Sequence, residues 1–365
     1  MEKEMISNRQ FMIIISIIAL ASPILYVPKS VTESAGRDGW LIVLVSGIAA
    51  ALNALMFFWI ERAYPGKNLM EINHIILGRF LGRVLNFVYI FYFIDLCTWV
   101  LREFTDFLLI TVEPSTPFYL YVVIALIMSS YTTFHGIEVY ARVSEIIFPV
   151  MFVMYLFVFA LLCNQYKPEH LLPILENGVI QPLKNMFVTE TLFGDVMIIS
   201  MIIHHVRKTS STPMYIISGM GLSTLFTFIA VITSIMVVGA ETTATLTYPT
   251  FTLIQNINIA NILDRIDILI VTMWIIGVFV KITCYFMGVV YGLSTTLHVK
   301  NPRFLILPIA FAMIVISKYK VPNFIQLSTI YSNKAWYFGL FQFVIPSVLL
   351  ILAIIRKNAC RKRQE

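Results

Sequence analysis

Apolar residues run through this chain in long blocks separated by short polar stretches. Blocks such as 40–60 and 143–163 hold about 20 residues with few charges, the length an α-helix needs to cross a hydrocarbon core of roughly 30 Å. The blocks are continuous rather than alternating, so they predict helices and not the strands of a β-barrel. About ten spans can be drawn on this basis, over 10–31, 40–61, 84–109, 118–134, 143–163, 186–206, 214–239, 266–292, 303–318 and 335–355. Two loops between them, 164–185 and 240–265, mix prolines with apolar residues and are expected to pack over the outer mouth of the bundle. A third segment, YPGKNLMEINHIILGRFLG at 64–82, is amphipathic and is expected to lie along the membrane interface.

Composition sharpens this picture. The 365 residues are 59% hydrophobic and only 13% charged, whereas a soluble domain carries about 25% charge. The chain therefore reads as one integral membrane domain over 1–365. The start, MEKEMISNRQ, leads into the first span without a small-x-small exit, so no cleavable signal peptide is expected. If the N-terminus is cytoplasmic, about twice as many Lys and Arg fall on that side as on the other, which predicts both termini inside and an even number of spans. That bias explains the net charge of +6 without a nucleic-acid partner. The four cysteines are scattered, with no CxxC pair, and predict neither a disulfide framework nor a zinc site. His204 and His205 are neighbours and would point about 100° apart on a helix, which suits a polar helix end better than a metal. No GxSxG, HExxH or P-loop occurs, so no enzyme, cofactor or metal is expected.

The first span is interrupted. Ala21, Ser22 and Pro23 stand near its middle, and Pro28 follows. Ser22 is a good N-cap residue and Pro23 suits a first helical turn, so the stretch reads as the end of one half-helix and the start of another. The exposed N–H groups of the second half would then face something anionic near the midplane. A simple proline kink, with Ser22 bonding back to a carbonyl, is the alternative for this span taken alone. The sixth span carries Phe193, Gly194 and Asp195 in mid-membrane, where glycine and aspartate are both costly. Breaks at matching positions of two halves point to a transporter-type inverted repeat with its site between broken helices one and six. The halves would be about 10–163 and 186–356.

Ionisable residues inside spans narrow the site. Asp95 and Asp195 lie roughly 16 Å from the cytoplasmic end of their helices and Lys281 roughly 15 Å, so the three share one depth and are expected to form a charge network. The alternative is that Lys281 snorkels and each aspartate caps local backbone. Asp95, Trp99, Arg102 and Asp106 recur along one stripe of the third span. Arg102 and Asp106 are placed to pair near the outer mouth, while Glu103 is expected to point elsewhere.

An ordered set of local features resembles the spore germination permeases, the B subunits of bacterial germinant receptors, within the amino acid–polyamine–organocation transporter superfamily. These are the broken first span ending at Pro28, YPGKNLMEI and LG within 64–82, LREFTDFL followed by TP at 116–117, PILENG at 173–178, FGD at 193–195, YPTF at 248–251, and DRID with the tryptophan of 264–274. The resemblance spans nearly the whole chain. It implies a five-plus-five fold with ligand held by the unwound parts of spans one and six, and spans three, eight and ten around it. Carried onto this sequence, the ligand-binding residues would be Ala21, Ser22, Pro23, Phe193, Gly194 and Asp195, with Thr98 from span three. It also implies a nutrient sensor of the spore inner membrane that acts with A and C subunits. Two departures stand out: Ala21-Ser22-Pro23 replaces a glycine-rich break, and FGD replaces FGE, which withdraws the carboxylate by one carbon.

The expected function is germinant sensing, with a small amino acid or similar nutrient at the midplane. A proton-coupled amino-acid transporter is the second reading, and a structural membrane partner with a vestigial pocket the third. Signalling through partner chains would use the basic tail or, preferably, the apolar face of the 64–82 segment.

Overall fold

Ser7 opens the first helix with a capping box: its hydroxyl accepts from the Gln10 N–H, and the Gln10 side chain accepts from the Ser7 N–H. The computed structural model describes residues 5–175, 178, 193–255, 267–320 and 335–361. Helix α1 is Asn8–Ala21, α2 Pro23–Ala35, α3 Gly39–Ala63, α4 Leu69–Thr111, α5 Phe118–His135 and α6 Ile137–Leu161. A 3-10 helix, Gly194–Met201, follows. Then come α7 Thr212–Val238, α8 Ala240–Thr245, α9 Pro249–Gln255, α10 Asp267–Leu297, α11 Arg303–Lys320, α12 Ala335–Gly339 and α13 Ile345–Arg361. A π-helical turn at Leu340–Val344 joins the last two.

The bundle has a buried centre and a lipid-like rim. α10 packs along α4, and α1 packs against α7, which also covers α3. α1 further touches α6 and α10, so most of its residues are buried. Helices α6 and α11 expose large apolar side chains, among them Ile146, Phe304 and Leu307. Apolar exposure of this kind is the expected outer surface of a protein dissolved in lipid.

The N-terminus is tied to the end of the 3-10 segment. Ile6 N–H donates to the His205 carbonyl at 2.9 Å, and Arg207 N–H donates to the Ile6 carbonyl at 2.9 Å. Asn8 links the starts of α1 and α7, donating to Thr209 Oγ1 at 3.1 Å and accepting from Thr212 Oγ1 at 2.8 Å.

Seven helical runs among the described residues are long and apolar enough to cross a membrane, against about ten predicted. The first predicted span is divided at Ser22 into a 14-residue and a 13-residue helix. The described part of the sixth is 3-10 rather than α, and residues 186–192 lie outside the described residues. The ninth, α11, carries Arg303, Lys318 and Lys320 within its 18 residues.

The break in the first span also differs in kind from the one predicted. Ser22 has φ −81° and ψ −45°, ordinary right-handed helical values, and its side chain caps no backbone N–H. Leu25 and Tyr26 both donate to the Ser22 carbonyl at 3.3 Å. Pro23 removes one donor and bends the axis without unwinding the chain. The 64–82 segment is corrected too. Residues 69–77 form the first turns of α4, and Leu69, Met70, Ile72 and Ile76 are buried within this same chain, so that apolar face is not free for a partner.

The 240–265 loop returns over the mouth near α2, as far as it is described. Pro28 has no N–H, so the Ile24 carbonyl four residues earlier loses its helical donor. Thr250 Oγ1 of α9 donates to that carbonyl at 2.7 Å. Thr250→Val should lower stability by about 1–3 kcal/mol, because a buried carbonyl is left unsatisfied. In a Pro28→Ala background, where the helical N–H is restored, thermal unfolding should show the Thr250→Val penalty shrink. An unchanged penalty would mean that the hydroxyl does not serve that carbonyl.

Candidate ligand site

Two breaks and one lysine meet at the centre. Lys281, in the middle of α10, has no exposed surface. Its ammonium lies 2.9 Å from Asp195 Oδ2 and donates to Ser22 Oγ at 2.9 Å. Ser22 Oγ in turn donates to Glu103 Oε2 at 2.7 Å. Ser22, Glu103 and Asp195 are all buried. The arrangement is a chain of carboxylate, hydroxyl, ammonium and carboxylate drawn from α4, the α1–α2 bend, α10 and the 3-10 segment. Asp195 Oδ1 has no hydrogen-bond partner among the described residues.

Local geometry holds these groups in place. Asp195 stands in the first turn of the 3-10 helix, and its carbonyl accepts from the Tyr285 hydroxyl of α10 at 3.1 Å. Gly194 leaves room for the Gln342 side-chain amide, which occupies the space a Cβ would need. Gln342 sits in the π-helical turn before α13 and donates to the Tyr92 hydroxyl at 3.2 Å. Ala21 packs on Gly277 of α10, and Pro23 and Phe193 are both buried. One to two turns further along the same helices lie Tyr26, Phe107 and Trp274. With Tyr248 and Phe251 from the returning loop they form an aromatic layer, the ring centres of Phe107 being 5.1 Å from Tyr248 and 4.3 Å from Trp274.

Asp95 is not part of this chain of contacts. It pairs with Lys320 of α11 at 2.7 Å, and accepts from Trp99 Nε1 at 3.1 Å. Lys320 also stands over the Trp99 ring, 4.6 Å from its centre. Equal depth along two helices says nothing about rotation around them, and α4 turns Asp95 toward α11 instead of α10. Lys320 lies beyond the span drawn over 303–318, and α11 extends far enough to bring it to the bundle. Thr98 belongs with this second pair: its hydroxyl accepts from Lys320 at 3.0 Å and donates within its own helix. The second carboxylate of the central cluster is Glu103, expected to point elsewhere. Its sequence signal is an acid in an apolar span one residue from the Arg102 stripe, and α4 is buried on several sides there. Arg102 and Asp106 stand 2.8 Å apart, with Arg102 over the Phe118 ring at 4.9 Å. Gln342 gave no signal in the sequence, since a lone glutamine does not announce a π-turn.

Among the described residues, no cluster of three or more His, Cys, Asp or Glu is placed to hold a metal. The central cluster instead offers an ammonium with one carboxylate beside it and a second reached through the Ser22 hydroxyl, all inside the bundle.

Helical spans, a bent first helix, and a charged cluster between that bend and a non-α segment describe a membrane protein with a transporter fold. A solved structure of Mhp1, a nucleobase-cation-symport-1 family transporter with bromovinylhydantoin bound, aligns over 93% of this chain and 78% of its own, with a TM-score of 0.69 at 15% identity. The spore germination protein family model matches residues 5–325. Spore germination protein KB of Bacillus subtilis is 31% identical, over 99% of this chain and 98% of that protein. Spore germination protein YndE of the same organism is 26% identical, over 97% of each chain, and spore germination protein XB of Bacillus anthracis is 26% identical over 74% of this chain and 76% of its own. The chain belongs to the spore germination permease family. It is an integral membrane protein of transporter-like fold and not an enzyme.

Removing one member of a buried ion pair leaves the other uncompensated, a loss of roughly 3–5 kcal/mol. Lys281→Met should therefore be strongly destabilising alone and better tolerated in an Asp195→Asn background, with a coupling of about 0.5–3 kcal/mol. The same cycle with Asp95→Asn should be additive. Thermal unfolding of wild type, the three single variants and the two double variants in detergent reads both outcomes.

Proposed function

We propose that this chain is the germinant-sensing B subunit of a spore germinant receptor, and that it binds a small amino acid at the midplane between Ala21–Pro23 and Phe193–Asp195. The observation that carries the proposal is Lys281 held between Asp195 and the Ser22–Glu103 pair. An amino acid is a zwitterion of matching size and charge pattern. Its carboxylate can take over the Lys281 ammonium, while its ammonium meets Asp195 and the carbonyls at Phe193–Gly194. Ligand then exchanges partners with the internal ion pair, so binding disturbs both breaks at once. That exchange is a two-state element of the kind a sensor needs. Thr98 is left out of this site because its hydroxyl is already engaged by Lys320.

The proposal extends to the whole chain. Residues 1–365 form one membrane domain of two inverted repeats, about 10–163 and 186–356, in the spore inner membrane with both termini cytoplasmic. The aromatic layer and the Arg102–Asp106 pair stand at the outer mouth, through which a nutrient would arrive. The sequence between the spans is too short for an output domain, so the bound state must be passed to other chains, which we take to be the A and C subunits of the receptor.

Spores carrying Glu103→Gln or Gly194→Leu should keep the protein in the membrane and respond to their nutrient only at concentrations raised at least tenfold. A wild-type dose response from Gly194→Leu spores would place the site elsewhere. The purified chain in liposomes should bind the nutrient without concentrating it. Rapid uptake driven by a proton gradient would replace the sensor with a proton-coupled amino-acid transporter.

A further inference from the structure

The face of the bundle that carries the N-terminus holds a second concentration of charge, away from the ligand site. α4 begins with a capping box, in which Asn68 accepts from the Glu71 N–H and the Glu71 side chain accepts from the Asn68 N–H. Glu71 also lies 3.3 Å from the Lys67 ammonium. Further on, Gly78 takes φ +83° and ψ 179°, outside the helical region. A side chain is strained at that φ, so glycine permits the sharp change of direction. Beyond the turn, Arg79 and Arg83 stand one helical turn apart. They line a cavity of about 590 Å³ together with Lys67, Glu71, His74 and His298.

The charge of this cavity is unbalanced. Its one carboxylate, Glu71, is occupied by Lys67 and by the start of its own helix. Among the described residues, no carboxylate pairs with Arg79 or Arg83. The rings of His74 and His298 lie 6.2 Å apart and nearly parallel. Arg356, from the end of α13, adds another cation by donating to the Ile75 carbonyl at 2.5 Å.

The helix that carries these arginines is also apolar and uncovered around them. Ile75 is exposed before the turn, and Phe80, Leu81 and Val84 after it, Phe80 at 80%. A free anion or a soluble acidic peptide would need only the basic hollow. Cations beside exposed apolar side chains on one helix match a headgroup and its acyl chains at the edge of a bilayer. The turn at Gly78 places both kinds of residue at one level of the bundle.

We propose that this hollow is a binding site for the phosphate headgroup of an anionic phospholipid, with Arg79 and Arg83 on the phosphate and Phe80, Leu81 and Val84 along the acyl chains. The site does not depend on the reading of the midplane ligand. It anchors the Gly78 turn to the leaflet on the N-terminal side.

Native mass spectrometry of the full chain in neutral detergent tests this with phosphatidylglycerol and phosphatidylcholine as probes. Phosphatidylglycerol should be retained in preference to phosphatidylcholine. The Arg79→Gln/Arg83→Gln protein should bind phosphatidylglycerol roughly thirty-fold more weakly, the effect of removing two basic residues at a membrane surface. Arg142→Gln, on the same face but paired with Glu138, should leave retention unchanged. Equal retention by the double variant and wild type would overturn the proposal. So would displacement of the lipid by millimolar inorganic phosphate, which would mark the hollow as a site for free anions. Should the double variant fail to fold, thermal unfolding of wild type with each lipid decides. Stabilisation by phosphatidylglycerol alone supports the site, and equal effects of the two lipids refute it.

Discussion

An ammonium with no exposure to solvent cannot remain charged in an apolar interior unless other groups replace its water, and that requirement at Lys281 organises the centre of this protein. Desolvation of such an ion costs several kcal/mol, and a single carboxylate offsets it only with good geometry and further hydrogen bonds. Here the further contact is Ser22, itself donating to Glu103. Four separate stretches of chain must therefore arrive at one point. The bend at Ser22–Pro23 turns the serine hydroxyl inward, and the 3-10 helix beginning at Gly194 presents Asp195 from the other side. Gly194 admits Gln342 from the π-turn, so a fifth element closes against the same point.

Charge elsewhere in the core is divided into separate pairs. α4 supplies three carboxylates in its membrane-spanning half, and each faces a different neighbour. Asp95 meets Lys320 of α11, Glu103 meets the first-span bend, and Asp106 meets Arg102 on its own helix. Asp95 and Asp106 share a stripe but lie about three turns apart, and Glu103 is rotated about 80° from Asp95, so one helix can serve several sites. On the proposed reading, a ligand that draws Lys281 away from Asp195 would act on the two interrupted spans and leave the Asp95–Lys320 contact between α4 and α11 in place.

The aromatic layer built from Tyr26, Phe107, Tyr248, Phe251 and Trp274 has a local cause as well as a place near the site. Pro28 frees a carbonyl in α2, Thr250 satisfies it, and the returning loop is held against the mouth by that hydrogen bond and by ring packing. The proline that interrupts the helix thus also fixes what covers it. On the opposite face, the Gly78 turn does the corresponding job with charge, gathering Arg79 and Arg83 at the level where headgroups lie.

Long apolar blocks determined the class of this protein by themselves, because only helices with internally satisfied backbones are stable in hydrocarbon. The same local logic marked the interruptions at Ala21–Pro23 and Phe193–Asp195, where proline, glycine and a buried acid each carry an energetic cost readable from residue type. It marked Lys281 and Asp195 as embedded charges, and the order of short motifs was enough to indicate the spore germination permeases. The Arg102–Asp106 pair follows from its i, i+4 spacing, but which carboxylates stand beside Lys281 and Lys320 was decided by the tertiary structure. Pairing depends on the rotation of α4 about its axis and on how far α11 extends, and neither leaves a trace in hydrophobic periodicity when a helix is apolar on all sides. Glu103 displaced Asp95 from the central cluster for that reason. The first span is interrupted at Pro23 without unwinding because Ser22 keeps helical φ and ψ and its carbonyl still accepts from Leu25 and Tyr26.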